Sequence, residues 1–219
     1  MTTDVSTVAL IDYGSGNLAS AAKALARASA NVGGGKFDIV TTADPEVVLE
    51  AERVVQPGVG AFADCMKGLS SVPGMVPALR EKVVKQGAPF LGICVGMQLL
   101  ATVGVEFGNH MGLGWIAGEV VKITPDDQGL KIPHMGWNEL KIEQEHALLE
   151  GIPPGAHAYF VHSFQLKPAL PDDLIATTDY GGALTAMVGN ENIAGTQFHP
   201  EKSQATGIKL LENFLRWRP

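Results

Sequence analysis

Alternation constrains this chain more than any other feature of its sequence. In the first hundred residues, four short apolar runs, Val8–Ile11, Phe37–Thr42, Val54–Val55 and Pro89–Ile93, each lead into a turn and then a helical stretch. Leu18–Ala30 is rich in Ala, with Leu, Lys and Arg, and is helical by propensity until Asn31 and Gly33-Gly34-Gly35 stop it. Asp44-Pro45 reads as an N-cap and a first-turn proline that open a helix through Ala51. Pro57-Gly58-Val59-Gly60 breaks the third strand, helices follow over Ala61–Leu69 and Val76–Gln86, and a last one begins at Val95 and runs to Ala101. Such alternation demands parallel βαβ units with helices on both faces.

Beyond residue 117 the pattern changes. Gly118–Ile123, Trp137–Ile142, Tyr159–Leu166, Ile175–Thr178, Ala183–Val188 and Ile193–Phe198 read as strands with few helices between them. Thr206–Trp217 closes the chain as an amphipathic helix with Ile208, Leu211, Phe214 and Leu215 on one stripe. No repeat, linker or low-complexity segment interrupts residues 1–219. The prediction is an α/β fold, a single domain whose central, mostly parallel (mixed) sheet is flanked by helices.

Composition removes several function classes. Sixteen basic against 23 acidic residues give a net charge of −7, the wrong sign for neutralising a nucleic-acid backbone. No apolar run approaches the roughly 18 residues that cross a bilayer, and Met1-Thr2-Thr3-Asp4-Val5 lacks the positive region of a secretory signal. Two cysteines, Cys65 and Cys94, cannot build a disulfide framework and fit reduced thiols in the cytoplasm.

Three segments could carry chemistry. Gly14-Ser15-Gly16-Asn17-Leu18-Ala19 follows a strand and opens a helix, as a dinucleotide-binding turn would, but Thr41-Thr42 stands where the ribose-binding acid belongs. A plain glycine turn fits it better. Gly92-Ile93-Cys94-Val95-Gly96 sits at a strand-to-helix junction. It reads either as a nucleophile elbow, with small flanks for a strained turn, or as a buried core cysteine between turn glycines. A helix N-terminus would favour the thiolate there.

His199-Pro200-Glu201 decides between these readings. Pro200 holds His199 extended, and side chains two apart on an extended segment point the same way, so Glu201 can orient the imidazole. A cysteine, a histidine and an orienting carboxylate are the parts of covalent acyl transfer.

Gly92-Ile93-Cys94-Val95-Gly96-Met97-Gln98-Leu99-Leu100 together with Gln197-Phe198-His199-Pro200-Glu201 resembles the class I glutamine amidotransferases, which have a flavodoxin-like fold. Pro57–Phe62, Pro133-His134-Met135-Gly136-Trp137-Asn138, Tyr159–Ser163 and Gln197–Ser203 narrow the likeness to the glutaminase subunits of imidazole glycerol phosphate synthases. The resemblance implies that Cys94 attacks the glutamine amide, His199 carries the proton and Glu201 stabilises the imidazolium. It implies an oxyanion hole from the Val95 N–H and, after a peptide turns over, one from Gly58-Val59-Gly60. Gly58 and Gly60 would give that peptide its freedom. Gln98 would help to hold substrate. Pro133, His134, Met135, Trp137 and Asn138, with Tyr159, His162 and Lys202 as further candidates, would face a cyclase subunit, a (β/α)₈ barrel that receives the ammonia in a heterodimer.

The sequence departs from that pattern locally: Ala101–Val105 precede Glu106 where an acidic cluster is common, Asn31–Lys36 is glycine-rich, and Phe164 replaces a tyrosine. Cys65 reads as a core thiol. His110, His146 and His157 share no metal-ligand spacing, so neither metal nor cofactor is expected.

Overall fold

A computed structural model describes residues 5–33, 37–127 and 129–219. The strand β1 (Ser6–Ile11) leads into α1 (Leu18–Gly33), and β2 (Phe37–Thr42) into α2 (Pro45–Glu50). Asp44 caps α2 as its position predicted, its carboxylate accepting from the Glu46 N–H at 2.9 Å. Gly34, Gly35 and Lys36, part of the expected glycine-rich stop, lie outside the described residues.

β3 (Arg53–Gly58) runs further than expected. It pairs with β4 (Phe90–Cys94) as far as Gly58 opposite Cys94, because a proline near a strand end removes only one donor from the ladder. Between them lie α3 (Phe62–Ser71) and α4 (Met75–Leu79), and α4 continues as a wider π-helical turn over Arg80–Lys85. The helix after Cys94, α5 (Val95–Gln98), is shorter than the sequence suggested. Its end tightens into i→i+3 bonds, Leu100 N–H to Met97 C=O and Ala101 N–H to Gln98 C=O.

The second half adds β5 (Val103–Gly104), β6 (His110–Met111), β7 (Gly118–Lys122), β8 (His134–Glu139), β9 (Lys141–Ile142), β10 (His157–His162), β11 (Phe164–Pro168), β12 (Leu174–Asp179), β13 (Ala183–Asn190) and β14 (Ile193–Thr196) before α6 (Gln204–Arg216). Two expected strands are thus each split, at Leu140 and at Ser163.

Eight strands form the main sheet in the order β2-β1-β3-β4-β14-β13-β12-β9. The first five are mutually parallel and the rest join antiparallel, which is the mixed sheet that the alternation required. Helices α1 and α6 pack together in one group, and α2, α3 and α4 in another. β8 and β10 pair as a separate ribbon, and β11-β7-β5-β6 form a small third sheet. One apolar cluster runs from Val8 through Leu91 and Phe160 to Trp217.

A buried cation closes this core at the far end of β3. Arg53 is 2% exposed, and its Nε and Nη2 donate to the carbonyls of Phe214 (3.2 Å) and Trp217 (3.0 Å), satisfying the end of α6.

Candidate active site

Cys94 is the last residue of β4 and the cap of α5, with φ 56° and ψ −114°, a backbone conformation that L-residues rarely adopt. The turn survives because its neighbours have no side chains. A Cβ on Gly96 would collide with the Gln56 carbonyl oxygen, and one on Gly92 would come 2.6 Å from the Gly96 carbonyl oxygen. The two glycines flanking Cys94 are therefore a requirement of space.

The central strands bring the histidine to the cysteine. β14 lies beside β4 in parallel register, Thr196 opposite Ile93, so the chain leaving β14 at Gln197 rises past Cys94. The His199 N–H donates to the Tyr159 carbonyl (3.0 Å), the Ser203 hydroxyl donates to the His199 carbonyl (2.7 Å), and the Tyr159 N–H donates to that same hydroxyl (2.9 Å). His199 Nδ1 meets Glu201 Oε1 at 2.8 Å, with the two side chains 3% and 4% exposed. The other ring nitrogen, Nε2, has no hydrogen-bond partner among the described residues. Burial opposes charge on this ring, but Cys94 and Glu201 outweigh it and carry the pKa up to about 9. The balance favours the charged ring at neutral pH.

A cavity of about 320 Å³ opens over this group, lined by Cys94, Val95, Gln98, Val59, Gly60, Pro133, Lys202, His199, Glu106 and the stretch Val161–Phe164. Most of the residues singled out from sequence therefore meet at one place. Val95 opens α5, so its N–H is one of the free donors of a helix start. The Val59 N–H is not presented to the cavity, because it donates to Ser15 Oγ at 3.0 Å, and the same hydroxyl donates back to the Val59 carbonyl at 2.6 Å. Gly60, at φ +104°, does have the backbone freedom expected of it.

Gly58 does not. It lies in regular strand, and its lack of a side chain serves close packing, since a Cβ would come 2.7 Å from Tyr13 Oη and 2.8 Å from the Gly96 nitrogen. The segment 133–138 also needs correction. Alternate side chains of β8 point opposite ways, so Met135 and Trp137 are exposed (60% and 47%), while His134 is buried (2%) and stacks on Phe160 and Tyr180. The Asn138 amide is occupied inside the molecule, donating to the Asp179 carbonyl at 2.8 Å. His162 is buried as well, and Lys202 lies over the Tyr159 ring at 5.7 Å.

Sequence reasoning missed two polar residues here. Glu106 puts a carboxylate into the cavity wall, anchored by the Phe62 N–H at 2.7 Å, and its only signal was being the first acid after the elbow. Gln197, fully buried, turns its Nε2 toward Cys94 Sγ at 3.7 Å. Among the described residues no group of His, Cys, Asp and Glu could hold a metal ion.

Comparison with known proteins fits this arrangement. The family model for class-I glutamine amidotransferases matches residues 9–217. The chain belongs to that family. Among curated members, the imidazole glycerol phosphate synthase subunit HisH of Rhodospirillum rubrum is 62% identical over 213 residues, covering 97% of this chain and 99% of that one. The subunit of the same name from Caulobacter vibrioides is 57% identical over 213 residues, with the same coverage of 97% and 99%. Solved amidotransferases share the fold. One crystal structure of a glutamine amidotransferase aligns at TM-score 0.69 with 20% identity, covering 95% of this chain and 97% of that one. Another, from Thermotoga maritima, aligns at TM-score 0.58 with 16% identity, covering 96% and 83%.

Proposed function

We propose that this amidotransferase, working as one domain, is the glutaminase subunit of an imidazole glycerol phosphate synthase in histidine biosynthesis. The observation that carries the reaction is the strained Cys94 facing an imidazolium that Glu201 holds in place. The subunit assignment rests on the full-length likeness to proteins of that name.

In the first half-reaction the Cys94 sulfur attacks the side-chain carbonyl carbon of glutamine, and the developing oxyanion takes the Val95 N–H. His199 Nε2–H protonates the departing nitrogen, which leaves as ammonia with a thioester behind it. Water then attacks the thioester, giving its proton to the now neutral His199, and glutamate leaves with Cys94 restored. Glu201 stabilises the imidazolium in each half. Glu106 is placed to take the ammonium group of the substrate, and Gln98 offers an amide beside the reacting centre.

A second oxyanion donor would come from the 59–60 peptide once it lets go of Ser15. One missing donor costs about 10²–10³ in rate, so the chain alone idles with a sound triad. The partner is the cyclase subunit, a (β/α)₈ barrel in a heterodimer. It uses the ammonia to make imidazole glycerol phosphate and an aminoimidazole carboxamide ribonucleotide. Exposed Met135 and Trp137, beside Pro133 at the cavity rim, supply the docking face.

Ammonia release is measured for the chain alone and for its complex with the cyclase subunit, with and without the nucleotide acceptor. The complex with acceptor should be about a hundredfold faster or more than the chain alone. Cys94→Ala should abolish release in every state without loss of complex formation, whereas Cys65→Ala should stay within a few-fold. Glutamine turnover surviving in the Cys94 variant refutes the reaction. Equal, fast turnover in all states refutes the gating.

A further inference from the structure

A chain of polar groups, half-buried at Asn138 and with buried polar side chains beyond it, connects the ribbon β8–β10 to the nucleophile, and its polarity is fixed from its ends. The orientation of the Asn138 amide is fixed, because the Asp179 carbonyl accepts from Nδ2 and Oδ1 accepts from the Glu139 N–H (2.8 Å). Its second proton therefore goes to His134 Nε2 at 3.2 Å. That makes His134 a donor through Nδ1, to His162 Nε2 at 3.0 Å, and leaves His162 Nδ1 to donate to the Phe164 carbonyl at 2.9 Å. The same carbonyl also receives Gln98 Nε2 at 3.0 Å. Gln98 Nε2 then gives its other proton to Gln197 Oε1, again at 3.0 Å, which turns Gln197 Nε2 onto Cys94 Sγ.

Only one arrangement of protons satisfies all these contacts. Both imidazoles are neutral and carry the proton on Nδ1. A second proton on either ring would point a donor at a donor. Burial agrees with this, holding both pKa values down at about 4.

We propose that His134 and His162 are positioning residues for the glutaminase reaction, orienting Gln98 and Gln197 so that an amide N–H is held on the Cys94 sulfur. This rests on Cys94 being the nucleophile. The carbonyl of Phe164 is the junction. Without the His162 donor it loses one of its two side-chain partners, so the Gln98 amide and the donor on the sulfur are held less firmly. Gln98 keeps Oε1 for the cavity only in this orientation. The outer end of the chain, Asn138, sits on the strand that also exposes Met135 and Trp137, so whatever docks on that strand sits one side chain away from the chain's first link.

The test begins with long-range ¹H–¹⁵N correlation spectra of the full chain labelled in its histidines, at pH 7. His134 and His162 should both show the neutral Nδ1–H tautomer. An Nε2–H tautomer or a charged ring at either position overturns the proposal. Reactivity is then read without substrate, as the rate at which iodoacetamide alkylates Cys94, located by peptide mass. His162→Phe should change the alkylation rate, and lower kcat for glutamine in the complex, each by roughly tenfold, the weight of one hydrogen bond. A folded His162→Phe protein within twofold of the parent in both rates overturns the proposal.

If that variant does not fold, position 134 decides. His134→Phe preserves the stack on Phe160 and Tyr180 and should be slower, whereas His134→Gln, which can accept from Asn138 and donate to His162, should regain most of the loss. Equal rates in those two variants overturn the proposal. The spectra and the alkylation need no glutamine, so they stand or fall separately from the glutaminase assignment.

Discussion

Two histidine sites sit close together in this protein, almost equally buried, and they hold opposite charge states. His199, on the turn after β14, is charged, with its pKa near 9. His134 and His162, on the ribbon β8–β10, are neutral, with pKa values near 4. Burial alone would push all three down. What separates them is company: His199 has Cys94 on one side and a carboxylate 2.8 Å away on the other, while the ribbon pair has each other, an amide, a carbonyl and, for His162, the like charge of His199. Depth sets how much a partner matters, and the partner sets the sign.

The most direct way to break this comparison is to remove the carboxylate. Glu201→Gln should lower the His199 pKa from about 9, with the Cys94 contribution remaining, read from its NMR titration, and cut kcat by about 10²–10³. A titration that stays near 9 would assign the shift to Cys94 alone.

The same site should shape stability on the alkaline side. A histidine whose pKa rises on folding adds stability that is complete below about 6.5 and lost as pH climbs through about 9. The thermal midpoint of the parent should therefore fall over that window by several degrees more than that of Glu201→Gln. Parallel curves for the two proteins would contradict it.

The ribbon pair should act on the other side of neutrality. Its rings bind protons more readily in the unfolded chain, so stability falls as pH drops from about 6.5 to about 4. His134→Phe should flatten that acid limb by a few degrees and leave the alkaline one unchanged. A smaller effect comes from the turn that holds His199. Ser203→Ala removes one donor and one acceptor and should cost about 1–2 kcal/mol in chemical denaturation, with kcat down a few-fold.

The sequence disclosed the first of these sites and not the second, and the reason is local. Cys94 announces itself because its strained turn needs glycines on both sides, and Glu201 because Pro200 fixes how it meets His199. Those constraints act within a few residues. The parallel half of the sheet was legible for the same reason, since each strand ends in a turn that the next few residues dictate. The links from His134 to His162, through the Phe164 carbonyl to Gln98, and on to Gln197 join positions tens of residues apart in the chain, and nothing near any of them foretells a partner. Glu106 stands out in the sequence only as the first acid after the elbow. Its anchor, the Phe62 N–H at the start of α3, is a contact between distant segments that no short-range pattern encodes. Periodicity also could not tell that β8 and β10 leave the main sheet, because an alternating strand looks the same in either place.

Arg53 carries a consequence for how the molecule can be handled. Its guanidinium is satisfied by the carbonyls of Phe214 and Trp217, so the last few residues serve as a plug for a charge at the root of β3. Clipping the chain ahead of Phe214 would strip both acceptors from a buried cation, a loss of about 3–5 kcal/mol. The opposite end of that strand places Gly58 against Cys94. Protease damage at the tail would thus be felt first as a loosened central strand, and an activity lost on storage could be traced by mass to a missing C-terminus while the triad remained chemically intact.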